Sequence, residues 1–125
     1  MKLRKLDGTF GNAQLPPDAK TPDWAEGPGF SAQIRSDDEL TILCRADRIP
    51  EDQTSELGWA CLRSIGPFAF DEAGLLASLI SPISAAGIGV FVVCTFDGEH
   101  ILVPEPAFDQ VADILSKHGH QFLSS

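Results

Sequence analysis

With 125 residues, 43% of them hydrophobic and 22% charged, the chain suffices for one compact domain or two small, closely packed ones without covalent staples. A formal net charge of −9 argues against nucleic acid, because phosphate binding needs clustered Lys and Arg. No run reaches the roughly 18 apolar residues of a membrane span, and the opening MKLRKLDG has no apolar stretch fit for a signal peptide, so a cytoplasmic protein without membrane contact is expected.

The charge is uneven. Residues 1–48 carry seven basic and eight acidic side chains, whereas residues 49–125 carry two basic ones, Arg63 and Lys117, and ten acidic. Such an acidic half favours solubility and can attract an amine-bearing ligand.

Taken in chain order, Lys2–Leu15 holds a first strand around Leu3 and Leu6, with Gly8 and Gly11 limiting its length. LPPDAKTPDWAEGPG is punctuated by Pro and Gly and leaves room for a short helix near Asp23–Glu26. FSAQIRS and LTILCRA then form a hairpin across the acidic turn Asp37-Asp38-Glu39, and DRIPEDQTSE is a polar connector. From Gly58 onward the chain reads as strand, helix, strand, strand, helix, strand. GWACLRSIG is the first strand, FDEAGLLASLISPISAAG a helix ending on Gly87, and IGVFVVCTFDGEHILVP a hairpin. PAFDQVADILSKHG is the second helix and HQFL a last short strand. That order predicts an α+β, ferredoxin-like sandwich with both helices on one face of a mostly antiparallel sheet. Aligning the two hairpins with an offset of 60 pairs Asp37 with Asp97, Glu39 with Glu99, Ile42 with Leu102 and Leu43 with Val103, a weak internal repeat.

The helices have readable faces. Leu75, Leu76, Leu79, Ile80 and Ile83 make an apolar stripe, while Gly74, Ala77, Ser81 and Ala85 make a small-residue side suited to close approach, either within the domain or between subunits. Pro82 interrupts this helix and removes one i→i−4 hydrogen bond. In the second helix Phe108, Val111, Ala112 and Leu115 face inward, and Asp109, Gln110, Asp113 and Lys117 face water.

Catalytic signatures are missing. Cys44, Cys61 and Cys94 show no CxxC spacing and sit in apolar strands, as buried thiols of a reducing compartment do. His118 and His120, at a helix end, read as surface histidines; their spacing does not make a metal site, and no cofactor is expected. Two segments carry binding chemistry. Gly66-Pro67-Phe68-Ala69-Phe70-Asp71-Glu72-Ala73-Gly74 joins a strand to a helix, where Asp71 suits an N-cap and free backbone N–H groups suit a carboxylate or phosphate. Thr95-Phe96-Asp97-Gly98 forms a hairpin tip whose Asp97 can hold an ammonium group, although Asp-Gly is also an ordinary turn dipeptide. An active site built only from Asp71, Glu72 or Asp97, and a ligand-free dimerising interaction module, stay open as alternatives.

The segments GWACLRSIGPFAFDEAGLLASLISPISAAGIGVFVVCTFDGEHILV and FSAQIRSDDELTILC, with the later helix ending in KHGH, resemble the ACT-domain family. Within it they are similar to small bacterial tandem ACT-like proteins related to the CASTOR arginine sensors. The resemblance implies a βαββαβ tandem, with a truncated half at residues 1–57 and a complete ACT domain at 58–125. It further implies a regulatory, non-catalytic module that binds a small molecule, an amino acid, and pairs as a homodimer. Carried onto this chain, the ligand contacts fall at Phe68, Phe70, Asp71, Gly74 and Leu75 before and at the helix start, and at Thr95, Phe96 and Asp97 in the turn.

Overall fold

The computed structural model describes residues 1–66 and 73–123. It is an α+β structure, and the chain divides into two compact units, one of Met1–Leu6 with Ala60–Ser125, the other of Asp7–Trp59.

The larger unit contains β1 (Lys2–Lys5), the second part of β5 (Ser55–Ser64), α1 (Leu75–Ala85), β6 (Phe91–Thr95), β7 (Gly98–Pro104), α2 (Phe108–Lys117) and β8 (Gln121–Phe122). From β5 onward this is the anticipated strand–helix–strand–strand–helix–strand order. Its strands lie in the sequence β6, β7, β5, β1, β8. β1 runs antiparallel to β5, with Leu3 opposite Ser64, Arg4 opposite Arg63 and Lys5 opposite Leu62, and parallel to β8. One apolar cluster joins the strands to both helices: Leu3, Ala60, Leu62, Ile101 and Val103 from the sheet, Leu79 and Ile83 from α1, Val111 and Leu115 from α2. Period-2 alternation therefore sends Arg4, Arg63 and His100 to the opposite face. The buried polar Ser64 is satisfied on the core side, donating to Glu99 Oε2 at 2.6 Å and accepting from the Glu99 N–H at 2.9 Å.

Both helices end as their glycines predict. Gly87 and Gly119 adopt φ of 78° and 89° just past the C-caps Ala86 and His118. The bonds Ile88 N–H to Ile83 O and Gly87 N–H to Ser84 O, and likewise His120 N–H to Leu115 O and Gly119 N–H to Ser116 O, complete two Schellman motifs. The start of α1 differs from expectation. Its N-cap is Gly74, at φ 83°, and no acidic residue stands in its first turn, where the sequence suggested Asp71 as cap and Glu72 after it; both of those lie outside the described residues. The cause is conformational: a left-handed N-cap is open to Gly and strained for other residues, which fixes the helix start at Leu75. The small-residue side of α1 (Gly74, Ala77, Ser81, Ala85) is exposed.

Pro82 leaves the Ser78 carbonyl without its helical donor. His120 replaces it, with Nε2 3.0 Å from Ser78 O, while Nδ1 lies 3.1 Å from the Met1 ammonium. A carbonyl can only accept and an ammonium only donate, so the imidazole is the neutral Nε2–H tautomer. His120 is thus buried at 8% exposure, not the surface residue anticipated, whereas His118 is exposed and donates from Nδ1 to Ile114 O at the helix end.

The smaller unit contains β2 (Phe10–Leu15), β3 (Ala32–Arg35), β4 (Leu40–Arg45) and the first part of β5, all antiparallel neighbours. The single strand expected across Lys2–Leu15 is two, because the chain turns at Gly8 (φ 83°) and β1 and β2 pair with different stretches of β5. The Pro/Gly-rich segment contains a 3-10 turn at Asp23–Ala25 and is fastened by arginines: Arg35 donates to Pro17 O and Ala19 O, Arg48 to Trp24 O and Pro28 O. Leu40, Ile42 and Cys44 of β4 join this unit's core, whereas Ile101 and Val103 of β7 join the other. An even offset of 60 therefore aligns positions on the clustered face of one strand with buried positions on the other face of its counterpart, Ile42 with Leu102 and Leu43 with Val103; a one-residue slip reverses every side chain of a strand.

Cys44 and Cys61 are buried, but Cys94 is exposed. Among the described residues β6 pairs with β7 alone, and its last two residues are exposed. Among the described residues no helix is long and apolar enough to cross a membrane, and no cluster of His, Cys, Asp and Glu has metal-binding geometry.

Candidate functional site

A cleft of about 290 Å³ in the larger unit is lined by Arg4, Arg63, Ile65, Gly66 and Asp97. Each wall has a local origin. The β1–β5 register places Arg4 and Arg63 directly opposite each other. Ile65 and Gly66 continue β5 beyond Ser64, and Asp97 sits in the tight β6–β7 turn, where Thr95 pairs with Gly98 and Thr95 Oγ1 donates to Gly98 O at 3.2 Å.

The electrostatics of the cleft are unbalanced. Cross-strand neighbours of like charge repel, and Lys117–Asp113 is the only ion pair among the described residues, so no carboxylate there neutralises Arg4 or Arg63. Arg63 Nε–H donates to Ser64 O at 3.1 Å, which anchors the root of the guanidinium and leaves its amino groups available. His100, on the same face, is buried at 6% exposure. Burial first, then the nearby Arg63 and Arg4 charges, push its pKa down to about 4, so it adds no third positive charge near neutrality.

Of the residues anticipated from sequence, Asp97 lines this cleft together with Gly66, the first residue of the loop singled out for binding. Thr95 is exposed at the end of β6, and Phe96, at 78% exposure, stands at the turn. Gly74 is the exposed N-cap of α1, and Leu75 its half-buried first residue. Phe68, Phe70 and Asp71 lie outside the described residues. Arg4 and Arg63 were not anticipated; the available signal was the scarcity of positive charge after residue 48, where Arg63 is one of two basic residues.

A second cleft, of about 220 Å³, belongs to the smaller unit and includes Asn12, Gln14, Glu39, Thr41, Thr54 and Glu56 among its lining. It is polar and acidic, without a basic side chain, and so lacks the means to hold a carboxylate.

The two buried thiols offer no nucleophile. Burial pushes Cys61 up to about 12 and raises Cys44 as well, against the lowering influence of Arg63 and Arg48 respectively.

Comparison with known proteins places this geometry. An ACT-domain family model matches residues 54–117, and an N-terminal-domain model matches residues 8–52. The rat protein named cytosolic arginine sensor for mTORC1 subunit 1 is 34% identical over 129 residues, spanning 95% of this chain and 39% of the relative. The human protein of that name is 34% identical over 80 residues, 63% of this chain and 24% of its own, so the chain spans well under half the length of these curated relatives. A crystallised protein of Agobacterium tumefaciens is 49% identical, with a TM-score of 0.93 over 98% of this chain and 91% of that one. The regulatory subunit of aspartate kinase from Thermus thermophilus, 8% identical, superimposes with a TM-score of 0.56 over 89% of this chain and 93% of that chain, a likeness of fold. By the family match and by these relatives, the chain belongs to the ACT-domain family, related to the CASTOR arginine sensors.

Proposed function

We propose that this protein is a regulatory module, without catalytic activity, that binds an amino acid. The observation that carries the reading is the cleft that Asp97 lines together with Arg4, Arg63 and Gly66, a small site with carboxylate and guanidinium groups suited to a zwitterion. The relatives' name, cytosolic arginine sensor, supports the same class of ligand.

In this reading Asp97 takes the ammonium group. Backbone N–H groups at the start of α1 take the α-carboxylate, because the first helical bond there is Ser78 N–H to Gly74 O and the preceding donors have no helical partner. Phe68, Phe70, Asp71, Gly74, Leu75, Thr95 and Phe96 complete the site. Residues 58–125 form the ligand-binding ACT domain, residues 1–57 a truncated ACT-like half, and two copies pair as a homodimer in the cytoplasm. The N-terminal stretch also lends β1, and with it Arg4, to the cleft.

Isothermal titration and thermal-shift measurements against the twenty amino acids test the proposal. At least one should bind and raise the melting temperature through preferential binding to the native state. Silence from all twenty refutes it.

A further inference from the structure

Which amino acid the cleft prefers follows from its charge. Arg4 and Arg63 are opposed in the β1–β5 ladder, and neither has an acidic partner among the described residues. Among the described residues, only Asp97 supplies a carboxylate to the lining. A like-charged cross-strand pair is unfavourable by some tenths of a kcal/mol to about 1 kcal/mol, so local stability alone does not select it. Departures of this kind from local consistency concentrate at functional sites. The repulsion disappears when an anion sits between the two forks, and a guanidinium can grip a carboxylate through two parallel N–H···O bonds.

Ligand charges can be set against this lining. A basic amino acid would bring a second cation towards two guanidiniums, with Asp97 the one described carboxylate to receive both cations. A neutral amino acid carries one carboxylate, which either the backbone donors at the helix start or the arginines can take, and so leaves one of the two groups unused. An acidic amino acid has one ammonium for Asp97 and two carboxylates, one for the main-chain donors and one for Arg4 and Arg63. We propose that the cleft is selective for an acidic α-amino acid, with Arg4 and Arg63 as the side-chain carboxylate subsite and Asp97 as the ammonium subsite. The inference rests on the amino-acid reading above and narrows it to one charge class. It sets this chain apart from relatives named for arginine, since a guanidinium-bearing ligand meets like charge here.

Titration of the full chain, at one fixed ionic strength, with L-glutamate, L-aspartate, L-glutamine, L-asparagine, L-lysine, L-arginine and glutarate tests this. An acidic amino acid should bind at least about tenfold more tightly than its own amide, the size expected of a charge-assisted contact. Arg4→Gln and Arg63→Gln should each weaken the acid by about tenfold and narrow the gap to the amide, with Arg63→Lys in between because it keeps charge but loses the fork. Asp97→Asn should weaken L-glutamate and leave glutarate unaffected. Arg4 and Asp97 are exposed and Arg63 is half-buried, so melting curves of the variants should stay close to that of the parent and confirm folding. If a neutral or basic amino acid binds as tightly as the acids, or if the Arg4 and Arg63 variants keep full affinity for the acids, the inference falls while the amino-acid reading stands. Glutarate binding as tightly as L-glutamate removes the role given to Asp97 and also overturns it. Binding of none of the amino acids overturns both.

Discussion

Removing the imidazole of His120 should cost the fold about 1–3 kcal/mol, the usual penalty for a buried acceptor stripped of its donor. The reasoning starts at Pro82, which cannot donate to Ser78 O four residues earlier, and ends at the 3.0 Å contact from His120 Nε2 to that oxygen. Two perturbations of one carbonyl must then be coupled. Pro82→Ala restores a main-chain N–H at the position where Ser78 O expects one, so the histidine is no longer its sole donor. In that background His120→Ala should cost less than in the parent by about 1 kcal/mol or more, and the double-mutant cycle should give a coupling energy well outside the 0.3–0.5 kcal/mol scatter of independent sites. Urea unfolding followed by far-ultraviolet circular dichroism suits the measurement, because α1 and α2 give much of the signal and the two tryptophans, Trp24 and Trp59, both lie in the other unit. Additive effects would refute the account and leave His120 as mere packing.

Three further outcomes are expected. His100 is held at a folded pKa of about 4 against an ordinary 6.5, so the unfolded chain takes up the proton first; its stabilising share is complete above pH 6.5 and drains away as pH falls through 4, by about 3 kcal/mol in all. Acid titrations of stability should therefore be flatter between those values in His100→Gln than in the parent, and identical slopes would count against the burial argument. One thiol of three, Cys94, should react with Ellman's reagent in the native protein and all three in denaturant, because Cys44 and Cys61 are buried; protection of Cys94 by Cys94→Ser substitution, read as loss of the fast phase, assigns it. Gly74→Ala should destabilise by about 1–2 kcal/mol in chemical denaturation although an added Cβ meets nothing within 4 Å, since the strain lies wholly in the left-handed φ of 83°; a neutral effect would show that the helix start can be rebuilt.

Local signals in the sequence were those that the structure repeats most closely. Gly87 and Gly119 mark helix ends because a left-handed C′ residue is a local requirement, and the inward set Phe108, Val111, Ala112 and Leu115 is a matter of 3.6-residue spacing. The Asp97 turn is equally local, since the bend and the dipeptide that makes it are adjacent. Long-range features were hidden. Nothing near Gly8 announces that β1 and β2 will pair with separate parts of a strand some fifty residues later. His120 looks like a surface residue until its partner, a carbonyl 42 residues away and vacated by Pro82, is in view. Arg4 and Arg63 escaped notice for the same reason: they become one feature only through register.

In the proposed reading, that register would give the cleft a means of regulation. Arg4 belongs to β1, Arg63 to β5 and Asp97 to the β6–β7 turn, and β1 itself is held between β5 and β8. A ligand that engages all three replaces repulsion between two neighbouring strands with attraction to a shared anion, and its binding free energy adds to the stability of the native pairing as RT ln(1 + [L]/Kd). The strands that carry Arg4 and Arg63 pack their opposite face on α1 and α2 through Leu3 and Leu62, beside Ile101 of β7. Any state of the protein that loosens β1 from β5 must give up the ligand, and by reciprocity the ligand suppresses that state to the same degree. The free energy available for such control is bounded by the difference in affinity between the two states, which makes the arginine pair, idle in the folded chain alone, the natural place for a signal to be read.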